Sequence, residues 1–578
     1  MALSRPVRIW GALFCYFAVA IVTLHYLRAN PNSTGDKSSP FRPFHVIYGD
    51  TPKAQQPPDT TQPVAAYPTD YLPSPKDSEE CEAMYSHRYL DYIATHHIPY
   101  CKDGSRSSFE CFRTHMNQSM CLAKTLLIDQ TRTEPNHHAA LHCELRNFTT
   151  EANADPAAAE ALHGVLNVED MPWGFFDTGV KHQLKAFDLN TTDETMVMGE
   201  QKCEPGKTDG KWTLLVRREN HKNVWHQLME LWSAMVSLDV LQMSIDPSTQ
   251  KPYLQQSELS DMQIVFTESD EGIPGLNVLD DWWDMVTGNS PILQRDMQPT
   301  CLDKVVLPLV GMDSPFWAWH WFEKDCHDRF LLDAFLKRVY RFLNIVPKKH
   351  GAEEKTVVTI VGSSYFLTKL VFLSIRAPEA GAYSRAYKRI TPVCSCVGSS
   401  NSSYLRSSLE KIRVFDILIL GSDRKNRRKL RNAETMMASA QERWPKVIFQ
   451  LVDFAPMSLK DQVLVARNTS VFVGLTGAGL THILWLPEES SVAEIQAPNK
   501  RMPEAQPYGG FRNLSKMRNL HYFTAHPERR EGEGHGNEWQ TGEWVDMKPE
   551  VFQALIDAAI NAQIHKGESP GEVLPVGT

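Results

Sequence analysis

His226 and Glu230 stand four residues apart in the segment 221–236, whose apolar positions Val224, Leu228, Leu231 and Met235 recur at helical spacing. A helix there sets imidazole and carboxylate side by side, with Asn223 one turn before the histidine. Such a pair at the carboxyl end of a strand can take the proton of a hydroxyl, or bind that hydroxyl. On a solvated face it would be a surface contact without further role. H-x-x-x-E without a second histidine is not the zinc helix of a metalloprotease.

A second constellation lies at 471–495. The apolar run 471–473 stops at Gly474, and Gly477 and Gly479 bracket Ala478 just before Leu480, Ile483 and Leu484, spaced for one helix face. Glycines before a helix start let backbone N–H groups approach a phosphate, although a plain strand-to-helix turn uses glycine in the same places. The run 490–495 reads as the next strand and ends in Glu494, a carboxylate at a carboxyl edge where ribose hydroxyls can be held. The basic run 422–431 follows another expected strand, 413–421, and arginines so placed can fork onto diphosphate oxygens. Asp280, Asp281 and Asp284 admit a divalent metal; acids at a solvated helix start explain them as well, and that reading is preferred. The aromatic run 313–321, with Trp317 at its centre, suits either stacking on a sugar or a packed domain interface.

These residues need a frame. Strands are predicted at 212–220, 262–266 and 304–310 and helices at 221–236 and 330–343; after a hinge at 347–354 come strands at 356–362, 413–421, 447–453 and 471–473, and a helix at 459–466. Strand and helix alternate as in parallel sheets, strictly in the second half and more loosely in the first. A last helix, 549–564, is expected to fold back across the domains, and an amphipathic helix is expected at 84–93.

The run G-L-T-G-A-G-L-T-H at 474–482, the Leu486-Pro487 pair and Glu494 together resemble the C-terminal signature of glycosyltransferase family 61, usually G-x-H-G-A-G-L-T-H, then Leu-Pro, then Glu. Thr476 stands where that pattern has histidine, and His482 is retained. The run from Asn223 through His226 to Glu230 is similar to the family's N-x-[FYW]-H-x-x-x-[DE] segment, 280–286 resembles its aromatic segment, and 422–434 resembles its arginine and R-R-x-L-x-N-E block. The resemblance covers most of 220–495 and, more weakly, the cysteine-bearing stretch around 107–112, which is similar to the EGF-domain-specific O-GlcNAc transferase branch.

That resemblance implies an α/β fold of the GT-B kind, two Rossmann-like domains facing across a cleft, and inverting transfer of a sugar from a UDP-sugar to a protein or glycan hydroxyl. UDP-GlcNAc is the first donor expected and UDP-xylose onto a polysaccharide the second. It implies donor contacts at Arg424, Arg427 and Arg428, at the turn Thr476, Gly477, Ala478, Gly479, Thr481 and His482, and at Glu494. Acceptor activation falls to His226 or Glu230, with Asn223, Trp283 and Trp317 on the acceptor side. No cofactor beyond the donor is expected to be required, Mn²⁺ being the unfavoured alternative. Thr476 in place of histidine leaves room for a catalytically silent sugar- or protein-binding member.

The formal charge of −9 argues against nucleic acid as a partner. Residues 9–27 are apolar enough to cross a bilayer, and Arg5 and Arg8 before them point the following chain to the lumen; an uncleaved anchor is favoured over a signal peptide. Ten of the 11 cysteines follow the anchor, which suits disulfides in an oxidising compartment, and the five at 81–143 suggest a small stapled cap. Sequons at Asn32, Asn117, Asn147, Asn190, Asn401, Asn468 and Asn513 agree, Asn468 being the least expected to carry a glycan because a buried strand follows it. The expected organisation is a cytosolic tail (1–8), an anchor (9–27), a Pro/Thr/Ser-rich stem (28–78), an acceptor-side domain (79–346), a nucleotide-sugar domain (347–545) and a final helix and tail (546–578). The expected location is the Golgi membrane in type II orientation, with the endoplasmic reticulum second.

Overall fold

Trp212–Val216 and Val471–Leu475 are short apolar runs with every residue buried, and each becomes an inner strand of its own sheet. The computed structural model describes residues 65–73, 76–129, 139–172, 178–185, 187–189, 197–198, 201–203, 210–219, 223–267, 279–318, 323–345, 358–360, 416–420, 429–454, 456–496, 509–526 and 544–565. The expected anchor, most of the stem, the hinge and Cys394 and Cys396 lie outside these residues. Among the described residues no helix is long and apolar enough to cross a membrane.

The first sheet runs in the order β1 (His97–Pro99), β2 (Ser108–Arg113), β3 (Ser119–Ile128), β9 (Thr300–Leu307), β6 (Trp212–Val216), β7 (Gln263–Phe266), β8 (Ile292–Leu293). β4 (Ala139–Leu141) and β5 (Phe187–Leu189) continue from β3. From β1 to β9 neighbours are antiparallel, and from β9 to β8 they are parallel. The cysteine-rich segment is therefore no separate cap, because its strands extend the sheet that carries β6. Two of its bridges are local, Cys101–Cys143 and Cys111–Cys121, while Cys81–Cys326 and Cys203–Cys301 close long stretches of chain. The single helix expected at 84–93 is two, α1 (Glu79–Tyr85) and α2 (His87–Thr95), divided at Ser86, whose hydroxyl donates to Glu82 O at 2.5 Å and accepts from Arg88 N–H at 3.1 Å.

Crossing from β6 to β7 is α3 (Val224–Met243), started by Asn223, whose Oδ1 accepts from Trp225 N–H at 3.0 Å. The expected apolar stripe is not what this helix uses: its residues from Trp225 to Leu241 are buried around the whole circumference. α2 lies against it, as does the Gly311–Asp313 turn.

The second sheet is parallel throughout: β12 (Ile448–Gln450), β11 (Asp416–Leu420), β13 (Val471–Leu475), β14 (Ser491–Ile495), β15 (His521–Ala525), with β10 (Val358–Ile360) also paired to β13. Alternation along β13 and β14 divides its core. Val471, Val473, Ala493 and Ile495 meet α5 (Ala433–Arg443) and α8 (Pro549–Ile564), whereas Phe472 and Val492 join the apolar cluster that includes α3. Thus α8 covers the second sheet, where Ser491 Oγ donates to Ala559 O at 2.8 Å, instead of crossing between domains. On the other face lie α6 (Leu459–Arg467) and α7 (Gly510–Met517). The seam is aromatic and ionic: Trp225 on Phe511 (5.6 Å between centroids), Trp282 on Trp485 (6.2 Å), and Arg329 to Glu488 (2.5 Å). Mixed α/β layering with these two sheets fits a GT-B-like arrangement.

Part of the expected stem is folded. Tyr71 stacks on Phe330 at 4.9 Å and donates to Asp239 Oδ2 at 2.6 Å, and Asp70 accepts from Arg338 Nε at 2.9 Å. Arg338, on α4 (Phe330–Phe342), also reaches both oxygens of Asp239, at 2.8 and 3.1 Å. The Pro- and Thr-rich composition concealed this strap, whose docking side chains are Asp70, Tyr71 and Tyr67, the last donating to Asp91 Oδ1 at 2.7 Å. Its backbone is also held, by bonds from Ala65 N–H to Met243 O at 2.9 Å and from Lys337 Nζ to Thr69 O at 3.2 Å. Asp239 is 2% exposed, so losing its guanidinium would leave a buried charge unpaired. Arg338→Leu is expected to lower unfolding free energy by roughly 3 to 5 kcal/mol in urea titration; a change within about 0.5 kcal/mol, the scale of an ordinary surface substitution, would show the network to be dispensable.

Candidate active site at the sheet seam

Strand β6 is followed by Arg217-Arg218-Glu219, and both Arg218 and Glu219 turn inward. Arg218 places its guanidinium 4.1 Å from the centre of the Phe266 ring and donates to Asp280 Oδ1 at 2.7 Å. Asp280 opens a short 3-10 turn, Asp280–Trp283, with Asp281 beside it and Asp284 next. This agrees with acids at a helix start, with the correction that Asp280 is held by an arginine.

Glu219 bridges two elements. Its Oε1 accepts from Met312 N–H at 2.9 Å, and its Oε2 lies 3.1 Å from His226 Nδ1 in the first turn of α3. The carboxylate bonded to His226 is thus Glu219 and not the expected Glu230. Glu230 lies a turn deeper, 2% exposed, and accepts from Gln227 Nε2 at 3.2 Å. Trp317 presents its ring perpendicular to the His226 imidazole at 4.2 Å. Burial pushes the Glu219 carboxyl up to about 8 against the pull of the Met312 N–H, and Asp313 is raised well above its ordinary range by burial and then by the charge of Glu219. When Glu219 is ionised, above about pH 8, its Oε2 accepts from His226 Nδ1–H, and that tautomer can take a further proton at Nε2. Neither Glu219 nor Asp313 was singled out as a site residue; the available signal was an acid just past the end of a parallel strand.

Gly311 makes this approach feasible. A Cβ there would stand 2.9 Å from Glu230 N and 3.2 Å from His226 O, so only a residue without a side chain lets the Gly311–Asp313 turn lie on α3.

At the second sheet, Thr476 to Gly479 are half-buried and lie just beyond β13. Gly477 has φ of 151°, a conformation other residues rarely adopt, and the segment after it, Ala478–Trp485, is a 3-10 helix where an ordinary helix was expected. Its first N–H groups lack carbonyl partners within the helix, as at any such start. Three expected donor contacts are buried. Glu494, 0% exposed, accepts from Thr476 Oγ1 at 2.5 Å and from Tyr522 Oη at 2.6 Å, so it braces the turn from below. His482 faces Gln462 Oε1 at 2.7 Å and Gly479 O at 3.0 Å, and burial pushes its imidazole down to about 4. Thr481 is fully buried.

Trp283 is corrected too: its ring is 0% exposed and edge-on to Phe266 at 5.3 Å, with no face open to an acceptor. Asn223 serves as the cap of α3. Arg424, Arg427 and Arg428 lie outside the described residues. The two clusters share the seam, for α3 meets the 3-10 helix and Trp225 lies between Trp317 (6.3 Å) and Phe511.

Two measurements test this geometry. Gly311→Ala is expected to cost about 1 to 3 kcal/mol in urea titration, the usual penalty of overpacking; an unchanged midpoint would mean the turn and α3 are not in contact. Burial raises the Glu494 carboxyl to about 7 from an ordinary value near 4.5. The native state therefore holds a proton the unfolded chain has released, and this contribution is full below about 4.5 and lost as pH rises through about 7. The stability advantage of wild type over Glu494→Gln should shrink between those values in thermal melts, and a difference independent of pH would contradict the assignment.

The family model described as Glycosyltransferase 61 matches residues 224–493. Curated relatives are similar over shorter stretches. The EGF domain-specific O-linked N-acetylglucosamine transferase of Pan troglodytes is 33% identical over 78 residues, 13% of this chain and 13% of that protein. The Mus musculus protein of the same name is 32% identical over 72 residues, 12% of each, and the Drosophila melanogaster one 28% over 115 residues, 20% of each. The aligned part thus spans about an eighth to a fifth of these relatives' length. From the crossing helix that carries His226 to the strand that carries Glu494, the chain is similar to glycosyltransferase family 61.

Proposed function

We propose that this protein is an inverting glycosyltransferase that moves a sugar from a UDP-sugar to a hydroxyl of a secretory-pathway glycoprotein or glycan. The observation that carries the reading is the buried Glu219–His226 pair at the start of α3, whose histidine lies inside the matched segment on the helix that meets Ala478–Trp485. His226 Nε2 takes the proton of the acceptor hydroxyl, the oxygen attacks the anomeric carbon, and the bond from that carbon to the diphosphate oxygen breaks with its electron pair leaving on UDP. Glu219 holds the imidazole and balances the imidazolium. Backbone N–H groups at 477–479 and the arginines Arg424, Arg427 and Arg428 stabilise the leaving diphosphate, so the chemistry requires no metal. The relatives' name supports GlcNAc as the sugar and a protein hydroxyl as the acceptor, with xylose transfer to a polysaccharide second. The disulfides and the apolar run 9–27 support a type II Golgi membrane protein with the catalytic part in the lumen.

One observation favours a silent binding member instead: Glu494 and His482, both expected to touch the donor, are buried with partners of their own. Turnover separates the two readings. UDP release from UDP-GlcNAc with a glycoprotein acceptor, measured with chelator present, is expected to fall about 10²- to 10⁴-fold in His226→Ala. UDP should still stabilise that variant, by roughly 2.7 kcal/mol at a hundred times its dissociation constant. Wild-type rates in the variant would remove His226 from the mechanism, and UDP binding without consumption of any UDP-sugar would favour the silent reading.

A further inference from the structure

Four of the seven sequons fall on described residues, and the fold treats them differently. Asn117 sits at the tip of the hairpin between β2 and β3, exposed, with φ of 60°. The turn closes without its side chain: Asn117 N–H donates to Thr114 O at 3.0 Å, Thr114 N–H to Gln118 O at 2.8 Å, and Thr114 Oγ1 accepts from the N–H groups of Met116 and Gln118, each at 3.2 Å. The Asn117 amide makes no hydrogen bond among the described residues, and Ser119, the hydroxyl residue two positions on, begins β3.

The other three are committed. Asn147 caps a helix by accepting from Thr150 N–H at 2.9 Å. Asn468, the least expected from sequence, is in fact exposed at the end of α6, but its Nδ2 donates to Leu464 O at 3.0 Å. Asn513 is the sequon the fold excludes. It is 4% exposed on α7, and its Oδ1 accepts from Lys324 N–H at 2.9 Å across the seam, where a glycan would wedge the two sheets apart.

We propose that Asn117 is an N-glycosylation site and that Asn513 stays unmodified. The inference rests on the lumenal placement proposed above. The oligosaccharide arrives from a lipid-linked diphosphate donor: Asn117 Nδ2 loses a proton and forms the bond to the anomeric carbon as the bond to the lipid diphosphate breaks. The hairpin tip is also pinned at its base by Cys111–Cys121, so the attachment point stays clear of the sheet after folding.

The test is the full chain expressed in a secretory-pathway host, treated with a peptide-N-glycosidase in ¹⁸O water and mapped by peptide mass spectrometry, with protease protection of intact microsomes alongside. The expected result is a deglycosylation mark at Asn117, none at Asn513, and a band that migrates faster by one glycan in both Asn117→Gln and Ser119→Ala. A protected chain whose Asn117 peptide is unmarked, or one marked at Asn513, overturns the site assignment and leaves the topology standing. A chain digested outside the microsomes overturns both.

Discussion

Helix α3 has no solvent face, and that constraint organises the molecule. A helix buried all round finds partners for its polar side chains on the elements packed against it or on its own turns. Asp239 meets Arg338 and Tyr71, Ser237 donates to Ser233 O, and His226 meets Glu219. Ser233 is in α3 itself, and the other partners come from three different places: the strap at 65–73, helix α4 and the residues just past β6. The histidine's chemistry is thus a product of burial, since the low-dielectric surroundings that raise the Glu219 carboxyl are the same that make its bond to the imidazole strong.

The second sheet faces the same problem at its carboxyl edge. A glycine turn there rests on a packed core while its own backbone stays half-buried. Glu494 lies opposite Gly474 across the ladder and takes the Thr476 hydroxyl on one oxygen and the Tyr522 hydroxyl on the other. The carboxyl supports the turn from beneath, which leaves the half-buried backbone of Thr476 to Gly479 as its accessible part. A family signature read as a set of ligand contacts is, in its acid and its histidine, largely scaffolding.

What could be read from sequence follows the range of each interaction. Strands β6, β13 and β14 and helix α3 were legible because apolar runs and their periods are local. The strand-end position of Glu494 was legible for the same reason. Its burial was not, because Thr476 and Tyr522 lie 18 and 28 residues away. Glu219 was only part of an expected strand, 212–220, and Met312, its donor, lies 93 residues on. The strap at 65–73 had the composition of a linker, and its docking depends on Arg338, which no local pattern connects to it. Trp283 showed the reverse error: an aromatic near an acidic cluster suggested recognition, and its surroundings make it core.

The four bridges are nested. Cys111–Cys121 lies within the span of Cys101–Cys143, and both of these and Cys203–Cys301 lie within the span of Cys81–Cys326; none crosses another. A chain that emerges from its N-terminus can therefore close the inner three in the order of synthesis without trapping the outer one. Cys81 must wait for a partner 245 residues downstream, about 12 to 50 s at ordinary elongation rates. During that interval it is a free thiol beside cysteines already seeking partners. Pairing of the hairpin cysteines before Cys326 emerges removes them as partners for Cys81, and the nesting of the bridges permits that order.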